Sequence, residues 1–176
     1  MPADPTRLLQ EAIAGDAVAF DALIGPLVEP GFRLAASMLG SREEAEDAVQ
    51  EATIKAWRNL QQLKDGGVVR SWFLSIVANQ CRSVRRGRWW SVVKLAEPRR
   101  AAAGPEDEAV QRTDLQQALH SLDPDERLAL YLRFYMDLPL DEVAAIIGTS
   151  ETAAKSRIHR AARRLKPAVA VPEGLT

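Results

Sequence analysis

Between Lys155 and Lys166 the sequence KSRIHRAARRLK carries six basic side chains and no acidic one. The chemistry open to such a run is recognition of a polyanion. Guanidinium and ammonium groups pair with phosphate oxygens, and polar groups near the start of the same helix can reach base edges in a major groove. On helical spacing Thr152, Ser156, His159, Arg160 and Arg163 share one face, with Lys155 and Lys166 at its shoulders. A second basic block follows Trp72 and Phe73: Arg82, Arg85, Arg86 and Arg88. Aromatic faces interleaved with cations suit a single-stranded nucleic acid, whose bases stack or insert while its phosphates pair with arginine. Plainer readings stand beside both. The first helix could be a solvated amphipathic surface, and Trp72 and Phe73 could belong to a core.

These side chains need elements to hold them. Val143, Ala144, Ile146 and Ile147 give a short apolar helical face that Gly148 ends, in the left-handed conformation glycine adopts most cheaply. Ser150 is placed to cap a second helix, whose inward stripe is Ala154, Ile158, Ala161 and Leu165. Pro139, Asp141 and Glu142 suit the opening turn of the first helix. The pair makes a helix-turn-helix. Upstream, Val110–Ser121 reads as a helix and Asp123 caps another, with Leu128, Leu130, Tyr131, Leu132 and Phe134 on its apolar side.

The first half is also helical throughout. Leu8–Ile13 begin one helix and Asp16 caps the next, which Pro26 and Pro30 should disturb before the pattern resumes from Phe32 to Leu39. Ser41 with Glu44 forms a capping-box pattern. The helix from Arg42 to about Leu60 sets Ala45, Ala48, Val49, Ala52 and Ala56 inside, with Glu43, Glu46, Asp47, Gln50 and Glu51 around the rest. That acidic exterior is either a solubilising face or a docking site. Gln61–Val69 forms a loop, and Ser71–Arg86 another helix with Trp72, Phe73, Ile76, Val77 and Val84 inside. Trp89 and Trp90 are adjacent and cannot both face one core. Ser91–Pro105 carries the Pro, Gly and Arg content of a linker. The expected fold is all-α: two small helical domains joined by a flexible linker, the C-terminal one with a helix-turn-helix.

Composition narrows the function. The net charge of −1 conceals alternating blocks: 5 basic and 10 acidic residues in 1–63, then 9 and 2 in 64–100, 3 and 11 in 101–154, and 6 and 0 in 155–166. Separated blocks imply two polyanion-contacting surfaces and acidic faces free for protein. One cysteine, Cys81, and two histidines, His120 and His159, exclude an intramolecular disulfide and a cysteine-rich zinc site. There is no phosphate-cradling GxxxxGK[ST] or GxGxxG motif and no catalytic constellation. No enzyme activity, metal or cofactor is expected. The absence of a signal-like N-terminus or a membrane-length apolar run points to a cytoplasmic, unprocessed protein with no membrane partner.

Three runs resemble bacterial RNA polymerase sigma factors of the extracytoplasmic-function (ECF) group of the sigma-70 family, in that family's order: Glu46–Trp57 (EDAVQEATIKAW), Val69–Gln80 (VRSWFLSIVANQ) with Arg85 and Arg86, and Glu142–Leu165 (EVAAIIGTSETAAKSRIHRAARRL). The resemblance implies a promoter-specificity subunit that recognises −35 and −10 elements and nucleates melting. Residues 1–90 would be the core-docking and −10 domain, 91–109 a linker, 110–168 the −35 domain and 169–176 a tail. Asp47, Gln50, Glu51 and Thr53 would face the polymerase clamp helices, and the second domain the flap. Lys64, Arg70, Ser71 and Asn79 would hold unpaired −10 bases. Arg82, Arg85, Arg86 and Arg88 would meet adjoining phosphates, while Thr152, Lys155, Ser156, His159, Arg160 and Arg163 would read the −35 duplex. An anti-sigma protein is a further possible partner. The pattern departs at Val69, where an aromatic is usual, at Ser83, where an aspartate is common, and at Thr152-Ala153-Ala154, where Gly-Thr-Val is usual. Rival readings are a stand-alone helix-turn-helix regulator and a protein-docking adaptor without DNA specificity.

Overall fold

The computed structural model describes residues 4–63, 68–94 and 114–169, and of the side chains at 88–94, 114–116 and 166–169 only the backbone path. Lys64, the side chain of Arg88, those of Trp89 and Trp90, and most of the expected linker therefore lie outside the described residues. Among those described there is no strand. Four helices form the first domain: α1 (Pro5–Ile13), α2 (Ala17–Leu39), α3 (Arg42–Asn59) and α4 (Val69–Lys94). Four form the second: α5 (Asp114–Ser121), α6 (Pro124–Leu130), α7 (Leu140–Ile147) and α8 (Glu151–Val169).

The capping signals act as the sequence implies. Asp16 Oδ1 accepts from Val18 N at 2.8 Å and Ala19 N at 3.1 Å to start α2. Ser41 Oγ accepts from Glu44 N at 3.4 Å at the head of α3. Asp123 caps α6 with a full capping box, its carboxylate taking Asp125 N and the Glu126 carboxylate taking Asp123 N.

The expected break in α2 does not occur: the helix runs unbroken with Pro26 and Pro30 inside it. The two prolines leave the carbonyls of Ala22 and Pro26 without their usual i+4 donors. Both residues are exposed, so water can take those carbonyls and the helix continues at lower cost than a buried proline would impose. At the other end, α4 runs to Lys94, four residues beyond the expected end of the first domain.

In the first domain the small inner face of α3, Ala45, Ala48, Ala52 and Ala56, lies at most 1 % exposed against α2 and α4. Phe73, Leu74, Val77 and Cys81 on α4 are fully buried. Gly31 on α2 lets Phe73 come close: an added Cβ there would lie 3.2 Å from the Phe73 ring. The second domain packs Leu128, Leu132, Val143, Ile146, Ala154, Ile158 and Ala161. Between α6 and α7 the residues Tyr131–Tyr135 form a π-helical turn. Phe134, expected inside, is 69 % exposed, because it stands two residues past the buried Leu132, on the opposite side of a helix of about 3.6 residues per turn. The two domains are packed on each other, α2 against α6 and α4 against α7.

Candidate nucleic-acid interface

α8 builds its surface from its own periodicity. Ala154, Ile158 and Ala161 are buried, while Thr152, Lys155, Ser156, His159, Arg160 and Arg163 are all exposed on the remaining face. Ser150 Oγ accepts from Ala153 N at 3.3 Å and caps the helix. The preceding turn is a Schellman motif: Gly148 at φ 73° lets Thr149 N donate to Ala144 O at 2.9 Å and Gly148 N to Ala145 O at 3.2 Å. Lys155, Ser156, His159, Arg160 and Arg163 together line one shallow concavity with a cationic and polar rim, the side-chain types that meet phosphates and base edges.

The far end of α8 is anchored by residues that local pattern did not single out. Arg164 Nη1 donates to Glu126 Oε2 at 2.8 Å and Nη2 donates to Ser121 O at 2.8 Å. Glu126 thus serves the α6 cap and the recognition helix at once. On the opposite flank Phe134, Leu140, Ile158 and Ala162 line an apolar groove rimmed by Arg133, Lys155, His159 and Arg163. It forms where Phe134 and Leu140 meet α8, so the pattern of no single helix signals it.

The first domain separates its expected residues into two faces. On α3, Asp47, Gln50 and Glu51 are exposed, and Thr53 is half-buried with Oγ1 donating to Val49 O at 2.8 Å. Gln50 and Thr53 border a groove of about 530 Å³ floored by Val28, Phe32, Val49 and Ile54. Nearby Phe20 and Trp57 meet edge to face at 4.9 Å, with Trp57 42 % exposed. This is an apolar strip with a polar rim, the anatomy of a protein-docking surface.

The α4 face is different. Arg85 is half-buried and Arg86 exposed. Ser71 Oγ donates to Val68 O at 3.2 Å, and Asn79 Oδ1 accepts from Arg82 Nη1 at 3.0 Å. Arg82 does not stand free for phosphates. Its side chain is 19 % exposed and reaches the second domain: Nη1 donates to Ile146 O at 3.3 Å, Nη2 to Ile147 O at 3.2 Å, and Nε and Nη2 approach Asp125 Oδ1 at 3.4 Å. Arg70 Nη2 donates to Met136 O. Two further links join the domains, Tyr131 Oη donating to Pro30 O at 2.9 Å and Arg33 donating to Tyr135 Oη. Burial pushes the Tyr131 phenol up to about 12. It likewise raises the Cys81 thiol to about 12, although Arg82 and Arg85 act the other way. Among the described residues no group of three or more His, Cys, Asp or Glu side chains could hold a metal ion, and no helix is long and apolar enough to cross a membrane.

Comparison with known proteins agrees with this arrangement. Residues 25–91 match the family model for sigma-70 region 2, and residues 112–165 that for sigma-70 region 4. The chain is 31% identical over 175 residues to the ECF RNA polymerase sigma factor SigE of Mycolicibacterium smegmatis, covering 93% of this chain and 67% of that protein. It is 28% identical over 135 residues to the RNA polymerase sigma factor SigV of Bacillus subtilis, covering 77% and 81%. Among solved structures, the sigma factor RpoE from Bartonella quintana, in complex with the anti-sigma factor NepR, superposes with a TM-score of 0.69 at 26% identity, covering 85% of this chain and 96% of that one.

Proposed function

The chain belongs to the sigma-70 family, in its ECF group, and from that premise we infer how a promoter-specificity subunit of RNA polymerase uses these surfaces. As such a subunit it binds core polymerase and directs initiation at promoters; the regulator and adaptor readings are not favoured. Members of the family are non-catalytic initiation factors, and the chemistry here is binding throughout.

The observation that carries the residue assignment is the exposed polar and cationic face of α8, set directly against a buried apolar stripe on the same helix. In our proposal Thr152, Lys155, Ser156, His159 and Arg160 meet the −35 duplex in the major groove, and Arg163 its phosphates. Arg70, Ser71 and Asn79, with Lys64, hold extruded −10 bases, and Arg82, Arg85, Arg86 and Arg88 the strand beside them. Opening duplex DNA costs on the order of 1.4 kcal/mol per base step in stacking, so captured bases must offset part of that. Asp47, Gln50, Glu51 and Thr53, with the adjoining Val28–Ile54 groove, dock the clamp helices. The groove at Phe134 receives the flap. The −10 domain runs to the end of α4 and the −35 domain spans 110–168. Because a relative of the same fold was solved with an anti-sigma factor bound, we include an anti-sigma protein among the partners, and cytoplasm as the compartment.

Run-off transcription with purified core polymerase on a promoter library tests the proposal. Promoter-specific initiation above core alone is expected, and its absence would refute the reading.

A further inference from the structure

We propose that Ala153 is a specificity residue of the recognition helix: its methyl group packs on the C5-methyl of a thymine in the upstream promoter element and selects an A·T pair there. The inference rests on the assignment of α8 to the −35 duplex.

Position comes first. α8 begins at Glu151 behind the Ser150 cap, so Ala153 stands in the first turn, the part of a recognition helix whose side chains contact base edges. At about 100° per residue, Thr152 and Ala153 lie about 40° and 60° to either side of Ser156, and Ala153 is about 20° from Arg160. Ala153 is exposed, whereas its neighbour Ala154 is buried. It lines the same concavity as Ser156, His159 and Arg160. The groove-facing side of α8 therefore opens on a bare methyl group, with polar and cationic side chains one and two turns behind it.

The chemistry follows from what Ala153 lacks. Its amide donates to Ser150 Oγ at 3.3 Å and is already committed when a phosphate arrives. Its side chain has neither donor nor acceptor. Against a phosphate, or against the ring nitrogens, carbonyls and amino groups of base edges, a methyl group displaces water and returns no hydrogen bond. The one apolar group that bases present in the major groove is the thymine methyl. Burying alanine against it costs no side-chain entropy. The chain departs from its family pattern at this position, with Ala153 where threonine is usual. The hydroxyl is gone and only apolar surface remains.

The setting keeps the contact in register. Ala154, Ile158 and Ala161 seat α8 on its core, and the Gly148 turn and the Ser150 cap hold its first residues. Ser156 and Arg160 then read or anchor the neighbouring pairs, so the methyl group meets the same base step each time.

The test uses the full chain with core polymerase and promoters selected by run-off transcription. Each thymine of the selected −35 element is replaced in turn by deoxyuridine, which keeps the O4 acceptor and removes only the methyl group. Binding of the holoenzyme is read by competition at one salt concentration. One thymine should lose about fourfold in affinity, the contribution of one buried methyl group, and deoxyuridine in the spacer should have no effect. Ala153→Ser should bind the thymine and deoxyuridine promoters equally, while Arg160→Ala, weaker on both, should keep the difference between them. Ala153→Gly, which removes the methyl group outright, takes the place of the serine variant should circular dichroism show that one misfolded. A selected element without an A·T pair, no loss at any thymine, or a loss undiminished in the folded Ala153 variant overturns the contact. Failure of run-off transcription overturns the sigma assignment instead. Duplexes selected by binding to the chain alone then carry the same substitutions and decide the methyl contact, and a chain that selects no duplex overturns both.

Discussion

Replacing Glu126 with alanine removes two interactions from one side chain, and their sizes can be worked out separately. Its Oε2 accepts from Asp123 N at 3.1 Å, closing the α6 capping box, and from Arg164 Nη1 at 2.8 Å, tying α6 to the recognition helix. Loss of the capping bond costs about 1 kcal/mol. The ion pair joins a side chain 15 % exposed to one 49 % exposed, so solvent screening holds it to about 0.5–1 kcal/mol. The sum is about 1.5–2 kcal/mol, a fall of about 5 °C in Tm for a chain of this length. Glu126→Gln keeps an oxygen for the cap and should cost about half as much. A double-mutant cycle with Arg164→Met should return a coupling of about 0.5–1 kcal/mol. Arg164 is then left with only its bond to Ser121 O, which loosens the C-terminal half of α8. Affinity for −35 duplex should then fall about fivefold for each lost kcal/mol, measured by anisotropy at one salt concentration. A coupling indistinguishable from zero, or unchanged duplex affinity in a destabilised variant, refutes the idea that this pair positions the recognition helix.

Arg160→Ala should weaken −35 binding by about 1–3 kcal/mol while leaving single-strand binding unaltered, as read from titrations with duplex and single-strand probes. Asp47→Ala should reduce capture by core polymerase in a pull-down, with stability unchanged to within about 0.5 kcal/mol because the side chain is exposed. Tyr131 has its neutral form favoured by the fold, its pKa pushed up to about 12 from about 10. Its contribution is complete below pH about 10 and is lost as pH rises toward 12. Ultraviolet titration should show a phenol ionising near 12 that Tyr131→Phe removes. Cys81, fully buried and with its thiol raised to about 12, should react with a thiol reagent only as fast as the first domain unfolds.

Much of the fold was legible because its signals act over a few residues. Asp16, Ser41, Asp123 and Ser150 cap helices by bonds to amides two or three positions away, and Gly148 turns the chain where its own φ requires it. The buried stripe Ala154, Ile158 and Ala161 fixed which face of α8 is left outside. Two exceptions have different causes. Pro26 and Pro30 remain inside α2 because the residues whose carbonyls they deprive are exposed, whereas Phe134 faces outward because it lies across its helix from the buried Leu132.

By itself the sequence determined the helices, their faces, the charge alternation and the order of motifs that carries the family. All of these follow from bonds and periodicities within a few turns. Only the tertiary structure decided what the cations touch. Arg82 and Arg160 are alike in type, yet one donates to carbonyls 64 and 65 positions along the chain while the other is exposed on α8. Tyr131 likewise finds Pro30 O 101 positions away. An arginine carries the same charge and donors whether it faces water, phosphate or a helix end. Which it meets depends on how two separate hydrophobic cores come together, and that is set by many weak contacts between distant segments, none of them encoded near the residue concerned.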